Sequence, residues 1–345
     1  MSEPKTSVTE GAGEDAQVLA DHAQYLIATA ARAPSVHNSQ PWRFRVGRDA
    51  VELWCDPRRR TWSDASGREM LISCGAALFG LRLAMRSLGF QPVVELRPDP
   101  ARLRLLARVR PGRIVPMNAL EVRMLAAVPH RHTHRGAFEP GALPAGLLPG
   151  LQNDALVEGA ELALIPAGLG FQRLAGLAAS AARRGDLDPR ARVTVRRWTR
   201  AAGRPERDGI PAAALAAGPV LRTRPGRLPQ RDFDLGRNLG LLSAEGAPPS
   251  VTAILLTRDD RHADWLHAGQ ALHRMLLHAA SEWVSASLYT QPLEDSVTRV
   301  LIPGQVGVTG HPQMILQFGR VKTGASTARR SPDELTSDEP EVSLP

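Results

Sequence analysis

Apolar residues recur at helical spacing over residues 16–33 (Val18, Leu19, Ala23, Leu26, Ile27, Ala30), and more densely over 66–88 (Leu71, Ile72, Ala76, Leu78, Leu81, Leu83, Met85), ending near Gly89. Between these helices the pattern alternates. Phe44 and Val46, then Val51 and Leu53, flank Gly47-Arg48-Asp49 and predict a strand pair over 42–54. Residues 91–110 also read as strands, through Val93, Val94, Leu96 and then Leu103, Leu105, Ala107, Val109. Residues 112–140 form a link and 143–201 are expected to be largely helical. Residues 202–249, rich in Pro, Gly and Arg, make an irregular segment long enough to suggest a lid or an unfolded stretch. A strand at 250–258, a buried helix at 262–283, and strands at 284–290 and 312–321 complete the pattern. Residues 1–15 and the acidic tail 331–345 are expected to be unfolded.

The two densest helices carry related sequence. Ile72-x-x-Gly75-x-Ala77-Leu78 and Leu266-x-x-Gly269-x-Ala271-Leu272 share one spacing, and strand-like sequence precedes each. This reads as an internal duplication.

Composition sharpens the picture by exclusion. With 345 residues and 43% hydrophobic content, the chain can bury the cores of two units or of one large α/β unit. No run of 18 apolar, uncharged residues predicts a membrane span, and the polar N-terminus lacks the pattern of a signal peptide. Cys55 and Cys74 make no disulfide framework, and no His/Cys cluster suggests a metal, so a reducing cytoplasm is expected. The net charge of +8 could suggest nucleic acid. However, 41 of the 43 basic residues are Arg, they are dispersed, and aromatics make up only 4% of the chain. No nucleic-acid or membrane partner is therefore expected.

The chemistry concentrates in residues 31–44, Ala-Arg-Ala-Pro-Ser-Val-His-Asn-Ser-Gln-Pro-Trp-Arg-Phe. Pro34 and Pro41 stiffen a stretch whose Ser35, His37, Asn38, Ser39 and Gln40 have no apolar role. Such a polar loop on an apolar scaffold can present donors and acceptors to a ligand, or can simply join a helix to a strand. His37 and His134 are read as packing residues, Trp42 as a core anchor, and Arg68–Glu69 as an exposed pair at a helix start.

Pro34-Ser35-x-x-Asn38-Ser39-Gln40-Pro41-Trp42 resembles the P-S-x-x-N-x-Q-P-W motif of the nitroreductase-like FMN flavoproteins. Arg131-His132-Thr133-His134-Arg135-Gly136-Ala137-Phe138 resembles that family's R-[RH]-[ST]-x-[KR]-x-F motif, and Arg329-Arg330-Ser331-Pro332 its C-terminal basic cluster. The inverted order of the first two motifs, in a long chain, resembles the Acg-type subfamily, in which one chain holds two nitroreductase-like halves. The resemblance covers roughly residues 20–335. It implies an α+β fold with halves at 16–125 and 126–330 forming an intramolecular pseudo-dimer, alone or as a homodimer. Each motif occurs once, so one FMN per chain is expected.

The resemblance further implies an FMN site in which Pro34, Ser35 and Asn38, with Arg32 and Gln40 on the same loop, line the ring or ribityl chain. Arg131, His132, Thr133 and Arg135 face the phosphate and pyrimidine ends, and Arg329 and Arg330 clamp the phosphate. Gln291, Pro292 and Glu294 occupy a position that often approaches the flavin in that family. The implied activity passes electrons from NAD(P)H through FMN to a small-molecule acceptor such as a nitroaromatic or quinone, and needs no catalytic protein base. A lid over 202–249 would instead imply FMN held with little or no turnover.

Overall fold

In the computed structural model the described residues are 8–215, 228–240, 242, 247–322 and 326–336. In chain order they form α1 (Val8–Ala31), β1 (Trp42–Val46), β2 (Val51–Cys55), α2 (Arg68–Ser87), β3 (Val93–Leu96), β4 (Leu105–Arg110), α3 (Ala119–Ala127), α4 (Leu147–Val157), β5 (Glu161–Ile165), α5 (Leu169–Leu187), α6 (Pro189–Trp198), β6 (Thr199–Arg200), β7 (Ile210–Pro211), β8 (Val251–Thr257), α7 (His262–Ser281), β9 (Val284–Tyr289), α8 (Gln291–Glu294), α9 (Ser296–Val306), β10 (His311–Arg320) and α10 (Pro332–Leu335).

Two four-stranded antiparallel sheets organise the α+β fold, and their wiring is the same. The first runs β1-β2-β4-β3 and the second β5-β8-β10-β9. In each, the second strand leads into the long apolar helix that returns to the third. Those helices, α2 and α7, pack on each other at the centre through the two sequence-related segments. A Cβ at Gly75 would lie 2.2 Å from the Leu266 carbonyl oxygen, and one at Gly269 would lie 2.0 Å from that of Ile72. Gly75 matches Gly269 in the repeat, and Ile72 matches Leu266, so the contact is reciprocal, as in an isologous interface. Only glycine permits backbones this close. One continuous core runs from Leu26, Trp42 and Phe44 through Leu78 and Leu272 to Leu316 and Phe318. α2 is long and apolar enough to cross a bilayer, but it is mostly buried inside the protein.

The structure departs from the pattern reading at several points. Residues 8–15, expected to be unfolded, belong to α1. The stretch 143–201 contains the strand β5, which the Leu/Ala-rich background conceals. In the supposed acidic tail, Ser331 caps the short helix α10 with a capping box, and Leu335 is fully buried. Thr336 pairs beside Phe44 of β1, so the end of the second half packs on the first. Residues 337–345 and much of 216–246 lie outside the described residues. Arg68 and Glu69 are both buried rather than exposed. Cys55 and Cys74 are free and buried.

Candidate functional site

α1 ends where Pro34 begins the polar loop, and the loop is held in an unusual shape. His37, Asn38 and Gln40 all adopt left-handed backbone, at φ 51°, 55° and 50°. Three non-glycine residues in this region within four positions mark stored strain. Polar ties hold them there. Asn38 Nδ2 donates to the carbonyls of Gly209 (2.9 Å) and Ala328 (3.0 Å), while Gly209 N donates to the Asn38 carbonyl. Gln40 Nε2 donates to the Arg207 carbonyl, and Gln40 Oε1 accepts from Arg330 N at 2.9 Å. The Arg330 guanidinium donates to the Gln40 and Glu334 carbonyls. Asn38, Gln40 and Arg330 therefore brace the loop from behind. They are not among the residues that line the cleft. The same ties explain Asp208-Gly209: Asp208 pairs with Arg59 and Arg200, and Gly209 sits at φ 75° against Asn38.

In front of the loop lies a cleft that, with its open mouth, spans about 860 Å³. Of the predicted residues, Pro34, Ser35, Thr133 and Arg135 line it, and Gln291 and Pro292 close another side. The walls come from residues 34–73 and from residues 133–314. Thr133 pairs in parallel with Ala286 of β9, His134 N donates to the Ala286 carbonyl, and Ser287 Oγ donates back to the His134 carbonyl. The motif 131–135 is thus laid along β9.

Arg131 and His132, one step earlier on this segment, open into a second hollow that, with its open mouth, spans about 750 Å³ and is also lined by Val284–Ala286. The two spaces share no lining residue but follow one another along the same two stretches of chain. Residues 130–132 and 284–286 line the second, and 133–135 and 287–290 the first. Arg131, Arg32, Arg135 and Arg329 converge near the junction and repel one another. Burial, then Arg135 and Arg32, push Arg131 down to about 10. Burial and the Arg131 charge push His132 down to about 4, so it is neutral at pH 7. Arg131 Nη2 donates to the Arg32 carbonyl, and Arg329 donates to the carbonyls of Ala31 and Ala33, where a helix C-terminus welcomes cations. Arg131 is only 4% exposed, yet its Nε and Nη1 have no partner, and neither does His132 Nδ1. Among the described residues no carboxylate pairs with Arg131, Arg135 or Arg329. Buried guanidinium donors without an acid call for an anion.

Ionisable groups lie in the cleft wall, Glu69, His37 and Arg231, and beside it, where Glu294 pairs with Arg231. Burial alone would raise Glu294, but Arg231's charge and hydrogen bond outweigh it and hold the carboxyl at about 2; Thr290 Oγ1 also donates to it, at 2.7 Å. Burial, reinforced by Glu294 and Asp64, pushes Glu69 well above the carboxylate range, and neither of its oxygens has a hydrogen bond. Arg68, 3.6 Å away, offsets this only in part. Burial, then Arg231, pushes His37 down to about 3; its ring nitrogens are unpartnered and it meets Phe233 edge-on at 5.4 Å. Neutral His37 is a packing residue in the cleft wall.

Arg231 and Phe233 belong to the irregular segment 202–249, whose residues 229–231 and 233 also line the cleft. Phe233 lies under the Arg135 guanidinium at 5.6 Å. Sequence reasoning missed Glu69 because its place at a helix start looked exposed. It missed Arg231 and Phe233 because nothing local points an irregular segment at a distant cleft.

This α+β framework with a two-walled, arginine-ended cleft has relatives. The chain is 33% identical over 306 residues to a Mycobacterium tuberculosis protein named "Putative NAD(P)H nitroreductase Rv3131", covering 87% of this chain and 85% of that protein. It is 28% identical over 330 residues to "Putative NAD(P)H nitroreductase acg" of the same organism, covering 93% and 97%. The chain belongs to this nitroreductase family. Among solved structures, the FMN-dependent nitroreductase NfnB of Mycobacterium smegmatis, in complex with NADPH, is 13% identical, with a TM-score of 0.38 over 64% of this chain and all of that one. No family model matches the chain.

Proposed function

We propose that the chain binds one FMN across the two adjoining spaces and acts as an NAD(P)H-dependent oxidoreductase on a small-molecule acceptor such as a nitroaromatic or quinone. The observation that carries this reading is the orphaned donor set of Arg131 and His132 at one end of an apolar, two-walled cleft. In it Arg131, His132 and Arg329, with Arg32 beside them, hold the phosphate. Pro34, Ser35, Thr133 and Arg135 take the ribityl and ring end, a set that excludes Asn38, Gln40 and Arg330. FMN supplies two-electron exchange with donor and acceptor. The protein orients it, places the positive charge of Arg135 beside it, and lines the cleft with Glu69, whose burial favours the protonated carboxyl, while Glu294 holds the lining Arg231. The relatives' names support the assignment to a nitroreductase, and the duplicated wiring supports an intramolecular pseudo-dimer that needs no second chain to complete the cleft. A cytoplasmic location fits the free, buried cysteines.

A second reading has its own observation. Arg231 and Phe233 lie across the cleft and are latched to Glu294, His37 and Arg135, an arrangement that suits a protein holding FMN without turnover. Anaerobic mixing of FMN-loaded protein with excess NAD(P)H separates the two. Loss of the oxidised-flavin absorption band at about 450 nm supports the oxidoreductase. A yellow protein that stays yellow supports sequestration. Colourless protein that takes up no added FMN refutes both.

A further inference from the structure

The outer end of the Arg131 cavity contains a residue that the fold does not account for. Trp283 follows the Glu282 cap of α7 at φ 57°, a conformation that suits glycine and burdens a bulky side chain. Its side chain gains no compensating burial, being 74% exposed. The ring stands beside that of His130, with centroids 5.9 Å apart and planes 34° from parallel. The same cavity is lined by Arg131, His132, Ser285 and Lys322. A strained, solvent-facing aromatic next to unneutralised phosphate donors is unexplained by packing and is the form of a functional site.

We propose that this outer cavity is a subsite for an adenylate moiety: an adenine ring stacked on Trp283, with its phosphate carried to Lys322, next to the phosphate that Arg131 and His132 hold. A lone carboxylate or inorganic phosphate would have no use for the ring, and an uncharged aromatic would have none for the cations. One exposed stacking surface and one cluster of donors suit a single nucleotide, because a nucleic-acid strand calls for successive stacking rings along a basic track. Consecutive residues of 130–135 and of 284–290 line first the subsite and then the cleft, which sets the two next to one another along these segments. An adenylate there can be the distal half of a dinucleotide whose other half lies in the cleft. The inference rests on the flavin reading only for which dinucleotide brings it, a flavin or a nicotinamide.

The test is calorimetric titration of the purified full-length chain, stripped of any flavin, with 5′-AMP, FMN, FAD and NADPH, in wild type, Trp283→Gly and Trp283→Phe. Wild type is expected to bind 5′-AMP. Trp283→Gly is expected to weaken it about tenfold, the size of one lost base–aromatic stack, and Trp283→Phe to retain most of it. Glycine suits φ 57°, so the Trp283→Gly chain is expected to melt no lower than wild type, which separates lost stacking from damaged folding. A fall in the ratio of FAD to FMN affinity in Trp283→Gly assigns the adenylate to a flavin dinucleotide. A fall confined to NADPH assigns it to the electron donor. Absence of 5′-AMP binding, or equal binding in Trp283→Gly, overturns the proposal. A chain that binds 5′-AMP at Trp283 but takes up neither FMN nor FAD overturns the flavin reading and leaves this one standing.

Discussion

Replacing Gly269 by alanine puts the central contact to a test in which two effects oppose in sign. In an open helix, Gly→Ala stabilises by about 1 kcal/mol, because alanine is the better helix former. Inside α7 the added Cβ meets backbone from α2: the Ile72 carbonyl at 2.0 Å, Ala76 N at 2.8 Å and Gly75 Cα at 2.8 Å. The first is 1.4 Å short of the 3.4 Å at which ordinary contact begins, and no rotamer change can supply the difference. The helices must separate, at an overpacking cost of about 1–3 kcal/mol, and a backbone obstacle places the cost near the top of that range. The expected net loss is about 2 kcal/mol, a fall in Tm of about 3 °C. The built-in control is Gly176→Ala in α5, where a Cβ meets nothing within 4 Å and the same exchange is expected to raise Tm. Differential scanning calorimetry of the two variants decides the matter. If Gly269→Ala melts at or above wild type, the account of α2 and α7 as helices locked by reciprocal glycines is wrong.

Arg131→Met is expected to weaken FMN binding at least tenfold, since a charge-assisted hydrogen bond contributes about 1.5–3 kcal/mol, while raising the melting temperature of the flavin-free chain by removing an uncompensated buried charge. Equilibrium dialysis and a thermal shift assay check the two arms, and unchanged FMN affinity refutes the phosphate contact. Glu69 binds its proton more tightly folded than unfolded, so its contribution to stability is present below about pH 4.5 and lost as pH rises. Glu69→Gln is therefore expected to stabilise the protein at pH 7 and to lose that advantage by pH 4, as urea titrations at the two pH values will show. Glu294 has the opposite sign: its stabilisation is present above about pH 4.5 and falls away towards pH 2, and Glu294→Gln is expected to lower stability at pH 7. Arg231→Ala is expected to speed flavin reduction by NAD(P)H in a stopped-flow measurement if residues 229–233 limit access, and to leave the rate unchanged if they do not.

Much of the framework was legible in periodicity because the strongest pattern belongs to the most buried elements. α2 and α7 are apolar around most of their circumference, and the residues that make them alike, Gly75 and Gly269, are those that meet in space. β5 escaped because alternation in a Leu/Ala-rich stretch also satisfies a helix. α10 escaped because its acidic composition reads as unfolded, while its anchoring depends on the single apolar Leu335 finding a distant partner. The loop at 34–41 was legible as a special place, but not residue by residue. Pro34, Ser35 and His37 line the cleft, whereas Asn38 and Gln40 are tied to Gly209, Ala328, Arg207 and Arg330, partners that no local pattern points to. Arg329 and Arg330, adjacent in sequence, part company: one caps α1 beside Arg131, and the other is tied to Gln40 and Glu334.

The glycine-to-carbonyl contact joins helices of a single polypeptide, so the cleft walls cannot drift apart on dilution. An enzyme whose cleft forms between separate subunits is assembled only above its dissociation constant, whereas here the effective concentration of one wall for the other is set by the chain. Assembly of the cleft is then a first-order folding event, insensitive to expression level. The covalent link also lets Gly75 and Gly269 mutate independently, so one side of the contact could drift while its counterpart is held. A homodimer, whose equivalent positions are copies of one codon, has no such freedom.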